Sequence, residues 1–216
     1  MKPAEERIQD IIRILRRLYP RSRTALHFET PLQILVATIL SAQCTDEKVN
    51  EITPALFSKY RKAEDFANAD PQVLEEEIRP TGFFRNKTRS IINASRKIVS
   101  DFGGEVPDTM EALVSLPGVA RKTANIVLSS AFRRAEGIAV DTHVKRLSQR
   151  LGLSQEKNPD KIEQDLMMAL VPREDWLDFN YMLVNHGRKT CQAKKPRCPD
   201  CELRHLCPSA ETFFPS

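Results

Sequence analysis

The sequence predicts an all-α fold on three observations. Helix-start signatures recur along the chain, glycines fall where periodic segments stop, and no strand-pairing turn of the Asn-Gly or Asp-Gly kind occurs. Thr30, Pro31, Leu32 and Gln33 read as an N-cap, a proline at the first helical position and a glutamine closing a capping box. The Asp70/Pro71 and Asn158/Pro159 pairs repeat the cap-then-proline pattern, and Asp108 followed by Glu111 is another box-like start. Gly103, Gly137, Gly152 and Gly187 follow periodic segments, as C-terminal glycines should. Ile91, Ile92, Ile98, Val99 and Phe102 recur at helical spacing, with Arg85, Arg89, Arg96 and Lys97 around them. Residues 34–40 could pass for a buried strand, but their capped start and the lack of a partner strand favour a buried helix. The expectation is roughly ten helices with short connections and no sheet. The tail from Cys191 is different in kind.

At 216 residues the chain can build one sizeable core or two small ones. Its formal charge of +4 is mild, so it suggests nucleic acid without requiring it. No run reaches the ~18 apolar residues of a membrane span, and the first residues are charged where a secretory signal would be apolar. A reducing cytoplasm is the expected setting, so the five cysteines are not expected to form disulfides.

The chemistry gathers between Leu116 and His143. Leu116, Pro117, Gly118 and Val119 form a turn that feeds an apolar helical pattern. A helix N-terminus offers unpaired N–H groups and partial positive charge, and Gly118 lets backbone approach an anion closely. With a helix over about 109–114 before it, this is a helix–hairpin–helix able to grip a DNA backbone without reading bases. A plain connection between two core helices fits the turn equally well. Lys122 falls in the first helical turn, the wrong end of the macrodipole for a cation, and Arg121 adds repulsion. Both effects favour the neutral amine, a nucleophile that forms Schiff bases with sugar aldehydes. On the residues alone, a charged phosphate contact is the simpler role. Asp141, before Thr142 and His143, reads as an N-cap. Such a carboxylate stays ionised, and can also stabilise an oxocarbenium-like sugar and help take a proton from the lysine.

Cys191, Cys198, Cys201 and Cys207 are spaced C-x6-C-x2-C-x5-C and imply a metal. Zinc sites usually show two short Cys pairs, and only Cys198/Cys201 is one here; a [4Fe–4S] cluster also takes four thiolates. Spacing leaves both open. Lys194, Lys195 and Arg197 make the loop between the first two ligands basic, and Arg188 and Lys189 precede it. That loop is either solvated or a DNA-backbone contact.

The segments LSAQCTD, PTGFFRNKT, LPGVARKTAN, AVDTHVKRL, NHGRKTC and the four-cysteine tail resemble, in order and spacing, the bacterial endonuclease III family. These are base-excision DNA glycosylases with AP lyase activity in the helix–hairpin–helix superfamily, and the likeness runs along essentially the whole chain. It implies a helix–hairpin–helix DNA glycosylase fold of two helical lobes with a cleft between them. One lobe is a six-helix domain over 25–134 with the hairpin at about 109–134; the other joins 1–24 to 135–216 and holds a [4Fe–4S] cluster within 191–207. It also implies Lys122 as the nucleophile at C1′ and Asp141 as its assistant, removal of oxidised pyrimidines such as thymine glycol, and β-elimination 3′ to the abasic site. Everting the base costs a few kcal/mol. Gln43 and Phe83 match the residues that fill the gap. Pro117, Gly118, Val119, Ala120, Arg121, Lys194, Lys195 and Arg197 are the further expected DNA contacts, and Ser41, Asp46 and His143 match positions near the pocket. The expected partner is double-stranded DNA with oxidised pyrimidines or abasic sites, bound by a monomer in the nucleoid.

Three positions depart from the family pattern. Ala120 stands where the hairpin usually has a second glycine; a need for φ > 0 there would cost roughly 1 kcal/mol and loosen the phosphate grip. Phe83 is larger than the usual leucine, and Cys44 replaces an alanine. Two rivals remain to be tested. One is a monofunctional mismatch glycosylase, a type that lacks the lysine and carries a large extra C-terminal domain. The other is a non-catalytic, DNA-binding protein whose iron–sulfur cluster senses redox state.

Overall fold

A computed structural model describes residues 2–20 and 22–213, which form helices and turns with no strand. In chain order the α-helices are α1 (Ala4–Leu18), α2 (Pro31–Leu40), α3 (Asp46–Lys59), α4 (Ala63–Ala67), α5 (Pro71–Ile78), α6 (Phe84–Phe102), α7 (Met110–Val114), α8 (Arg121–Ala131), α9 (Thr142–Arg150), α10 (Pro159–Asp165), α11 (Trp176–Lys189) and α12 (Ala210–Phe213). Among the described residues that is twelve, two more than the helix-start signals suggested. Short helices such as α4 and α7 carry too few turns to show a period.

The chain divides into two units, 24–134 and 1–23 with 135–216. The 24–134 unit holds α2 to α8, seven helices where the family resemblance implies six. Its core is built on α2, whose Ile34, Leu35, Val36, Ala37 and Leu40 are buried as a helix and not as a strand. Thr30 caps α2 by accepting from the Gln33 N–H at 3.2 Å, while the Gln33 side chain accepts from the Glu29 N–H at 2.6 Å. The reciprocal half of the capping box thus closes one residue earlier than the pattern suggests. Asp70 caps α5 through the Gln72 and Val73 N–H groups. Ile91, Ile92 and Ile98 line the buried face of α6, and Gly103, at φ 61°, ends it in left-handed backbone.

The other unit has its own core, with Ile11 and Leu15 of α1, Leu147 of α9 and Phe179 and Leu183 of α11 fully or almost fully buried. Asn158 caps α10 as its cap-then-proline signature predicts. Three sequence expectations need correction: the first is Gly137, which lies six residues past Ala131, the last residue of α8, and ends no helix. Asp108 does not start α7: Thr109 does, its hydroxyl accepting from the Ala112 N–H at 3.3 Å, and Asp108 pairs with Arg134 at 2.7 Å. Gly187 does not end a helix but lies inside α11, which runs on to Lys189. A Cβ there would stand 2.8 Å from His143 Nδ1 and 2.9 Å from Arg146 Nη2. Close approach of α9 to α11 explains that glycine.

Candidate DNA-repair site

In the 24–134 unit the hairpin connects α7 to α8. Leu116 and Val119 are buried, anchoring the turn through the Val119 N–H bond to the Leu116 carbonyl at 3.1 Å. Pro117 and Gly118 stay exposed at the tip. Gly118 adopts φ 79°, a conformation that suits glycine. Ala120 sits at φ −88°, so its backbone carries none of the strain that a second glycine would have relieved. It is the N-cap of α8, and its side chain makes no capping bond. The first-turn amides of α8 therefore lack a side-chain cap, the arrangement that receives a phosphate. Arg121 and Lys122 are the first two residues of that helix; Lys122 is exposed, and among the described residues its amine makes no hydrogen bond or ion pair.

Gln43 and Phe83 belong to the same unit. Gln43 lies in the turn between α2 and α3, and Phe83 is the N-cap of α6, preceded by Gly82. Both side chains are exposed, Phe83 by 60%. Both have left-handed backbone, φ 54° at Gln43 and φ 48° at Phe83, shared among non-glycine described residues only with Arg133. Each such residue costs roughly 1–2 kcal/mol, and strain of this kind gathers at functional positions. Ser41 ends α2 and donates to the Thr38 carbonyl at 2.9 Å; Asp46 is the first residue of α3. Both are half-buried, as is Cys44.

In the other unit Asp141 is the N-cap of α9, with one carboxylate oxygen accepting from the Val144 N–H at 2.8 Å. The sequence reading of a cap holds. His143 lies in the first turn, its Nδ1 3.1 Å from Arg146 Nη2. Arg146 and Arg150 on α9 then reach the cysteine tail. Arg146 donates to the Cys191 carbonyl at 3.0 Å, and Arg150 to Cys191 Sγ at 3.3 Å and to the Gln192 and Ala193 carbonyls, each at 2.8 Å. Burial holds the Arg146 pKa below its ordinary value, with Cys191 opposing. From α1, the buried Arg7 donates to the Leu151 and Leu206 carbonyls at 2.9 and 2.5 Å. Sequence reasoning passed over all three arginines; the one available signal was the helical spacing of Arg146 and Arg150.

Cys191, Cys198, Cys201 and Cys207 line one cavity beneath this network, with Leu147, Leu151, Leu203 and His186 among its walls. Lys194, Lys195 and Arg197 are exposed on the connecting loop. Burial pushes the Cys201 thiol up to about 11, with the other three cysteines adding to it, and raises Cys198 and Cys207 as well. Desolvated thiols such as Cys198, Cys201 and Cys207 are poor free thiolates but good ligands for a cationic group that ionises them. Among the described residues no three His, Cys, Asp or Glu side chains converge on a single metal-ion position. Four cysteines on one cavity are a donor set that either a tetrahedral zinc ion or a [4Fe–4S] cluster takes. His186 lies against the site with Nε2 3.5 Å from Cys201 Sγ and Nδ1 3.1 Å from the Tyr19 hydroxyl, and burial lowers its pKa to about 4.

An all-helical chain with a phosphate-ready hairpin and a four-cysteine tail is a helix–hairpin–helix protein. Residues 36–172 match the family of HhH-GPD superfamily base excision DNA repair proteins. The chain belongs to that family and, within it, to the endonuclease III family: it is 56% identical to endonuclease III of Synechocystis over 98% of this chain and 96% of the relative. It also superposes on a solved non-covalent endonuclease III–DNA complex with a TM-score of 0.92, at 38% identity and 98% coverage of each chain. A trapped endonuclease III–DNA covalent intermediate matches equally, with a TM-score of 0.92, 38% identity and coverage of 98% of this chain and 99% of the other. Among the described residues no helix is long and apolar enough to cross a membrane.

Proposed function

We propose that Lys122 and Asp141 are the catalytic pair with which this base excision repair enzyme, a DNA glycosylase and AP lyase, removes oxidised pyrimidines and cuts the strand. The hairpin tip, with Pro117, Gly118, Val119, Ala120 and the first amides of α8, holds a backbone phosphate. Gln43 and Phe83 fill the space left when the damaged nucleotide is everted, and Ser41, Asp46 and His143 are assigned to contacting that nucleotide. Lys122 Nζ attacks C1′ as the N-glycosidic bond breaks, and the base departs with the bonding electrons and takes a proton from water. The carboxylate of Asp141 stabilises the developing sugar cation and takes the proton that the amine loses. Ring opening breaks C1′–O4′, O4′ takes the proton held by Asp141, and an iminium is left between Lys122 and C1′. Loss of a C2′ proton then expels the 3′ phosphate, breaking C3′–O3′, and water releases the lysine.

The observation that carries this reading is the state of Lys122: an exposed amine, unpaired among the described residues, in the first turn of a helix with no side-chain cap. A phosphate contact alone does not account for the covalent intermediate trapped with a relative of the same fold. The four cysteines are suited to a [4Fe–4S] cluster. When bound, it would cross-link the basic loop of Lys194, Lys195 and Arg197 to the protein and supply no group to the reaction. The setting is the compartment that holds the DNA.

Borohydride reduction during reaction with a thymine-glycol duplex tests the proposal. Wild type is expected to give a covalent protein–DNA adduct and Lys122→Gln none. An adduct of equal yield from Lys122→Gln would contradict the nucleophile assignment. Base release without strand scission would favour a monofunctional glycosylase, and DNA binding with neither activity a redox-sensing binder.

A further inference from the structure

Lys87, at the start of α6, is only 4% exposed. Its ammonium donates to the Leu40 carbonyl at 2.7 Å and to the Thr81 carbonyl at 2.8 Å. Leu40 is the last residue of α2, and Thr81 the last of the 3-10 turn Arg79–Thr81. These are helix-end carbonyls, which lack in-helix donors and face the negative pole of the dipole. Among the described residues no carboxylate pairs with this ammonium, and burial draws its pKa below the ordinary lysine value, with Cys44 opposing.

A buried ammonium without a counter-ion is destabilising, and a methionine at this place would fill similar volume without that penalty. What the lysine adds is a tie between two segments far apart in sequence. Three residues past Leu40 stands Gln43; two past Thr81 stands Phe83. Both are exposed and both hold left-handed backbone, which persists only where the surroundings over-determine it. Leu40 and Thr81 are the fixed ends of the two strained turns, and one side chain grips both.

We propose that Lys87 is a positioning residue that clamps the Gln43 turn to the Phe83 turn, so that both side chains enter the vacated space in the duplex together. This rests on the gap-filling reading of Gln43 and Phe83 given above. Lys87 touches neither DNA nor the reacting atoms; it acts through the two turns. Insertion of a glutamine and a phenylalanine from separate segments needs their spacing fixed in advance, since small misplacements forfeit most of the benefit.

The test uses the whole enzyme with a duplex carrying a tetrahydrofuran abasic analogue opposite 2-aminopurine, whose fluorescence reports contact with the orphaned base. Wild type is expected to change the fluorescence on binding, and Gln43→Ala and Phe83→Ala to lose much of that change. Lys87→Met is expected to lose at least about half of it at saturating protein, with affinity for undamaged duplex within about twofold, because the hairpin phosphate grip is separate. Full signal from Lys87→Met alongside reduced signals from the other two would overturn the clamp while sparing the gap-filling reading. Unchanged signals from Gln43→Ala and Phe83→Ala would sink that reading, and the clamp with it. An equal loss of signal and of affinity for undamaged DNA in Lys87→Met would mark it as merely structural. If Lys87→Met does not fold, Lys87→Gln serves: shorter and neutral, it reaches one carbonyl only and is expected to show the same loss, and a full signal from it overturns the clamp.

Discussion

Ser90 on α6 lies so close beneath Gly118 that a Cβ on the glycine would stand 2.5 Å from the Ser90 Cβ. Two constraints therefore coincide in the hairpin: a left-handed φ of 79° and no room for a side chain. Gly118→Ala is expected to lower stability by roughly 1–3 kcal/mol, or to shift the hairpin and weaken binding of undamaged DNA. Adding Ser90→Gly should recover the steric part and leave the conformational part. Thermal melting and DNA binding of the single and double variants separate the two, and a wild-type Gly118→Ala would show the hairpin to be more pliant than its packing implies.

Asp141 both caps α9 and is assigned to catalysis, and asparagine distinguishes the roles. Asn caps as well as Asp, whereas Ala forfeits about 1 kcal/mol. Asp141→Asn is expected to melt within about 0.5 kcal/mol of wild type, bind DNA normally and release base far more slowly. If affinity and stability fall with the rate, the residue is chiefly structural.

Lys194 and Lys195 are exposed on the loop between Cys191 and Cys198. If each neutralises one phosphate, Lys194→Ala/Lys195→Ala should reduce the slope of log affinity against log salt by about 2. An unchanged slope would return the loop to a purely solvated role.

Purified protein is expected to be brown and to contain iron and acid-labile sulfide. Cys201→Ser should lose both and melt earlier, because the loop's ties through Arg146 and Arg150 end on backbone and sulfur beside the ligands. A colourless preparation carrying one zinc would overturn the cluster assignment.

Lys87 gives stability a pH dependence whose sign follows from burial. Its native pKa is lowered. Below that lowered value both native and unfolded chains hold the proton, and the fold carries the desolvation penalty. Between it and the ordinary value near about 10.4, the unfolded chain keeps a proton that the native chain has released, so stability rises with pH. Urea unfolding should show wild type gaining on Lys87→Met from neutral pH toward about 10. A flat or falling difference would mean that the ammonium is better solvated than its burial implies.

Features set by local rules were legible in the sequence. The caps at Thr30, Asp70, Asp141 and Asn158 involve N–H groups within three residues, and a short pattern encodes each. The hairpin and the cysteine spacing are local too. Features made by long side chains crossing the fold were not legible. Lys87 looks like one more surface cation in PTGFFRNKT, and only packing shows it held by Leu40 and Thr81. Arg7, Arg146 and Arg150 were hidden for the same reason. Gly187 was misread because a glycine inside a helix for close packing looks, in sequence, like one that ends it. The left-handed φ at Gln43 and Phe83 carries no signal at all, since neither residue type asks for that conformation.

On the proposed mechanism a single amine becomes bonded to the sugar, and tandem mass spectrometry of the borohydride-reduced adduct reads it directly. After protease and nuclease digestion, the added sugar mass is expected on Lys122 alone. The same mass on the N-terminal amine, on Lys194 or Lys195, or on no lysine would contradict it.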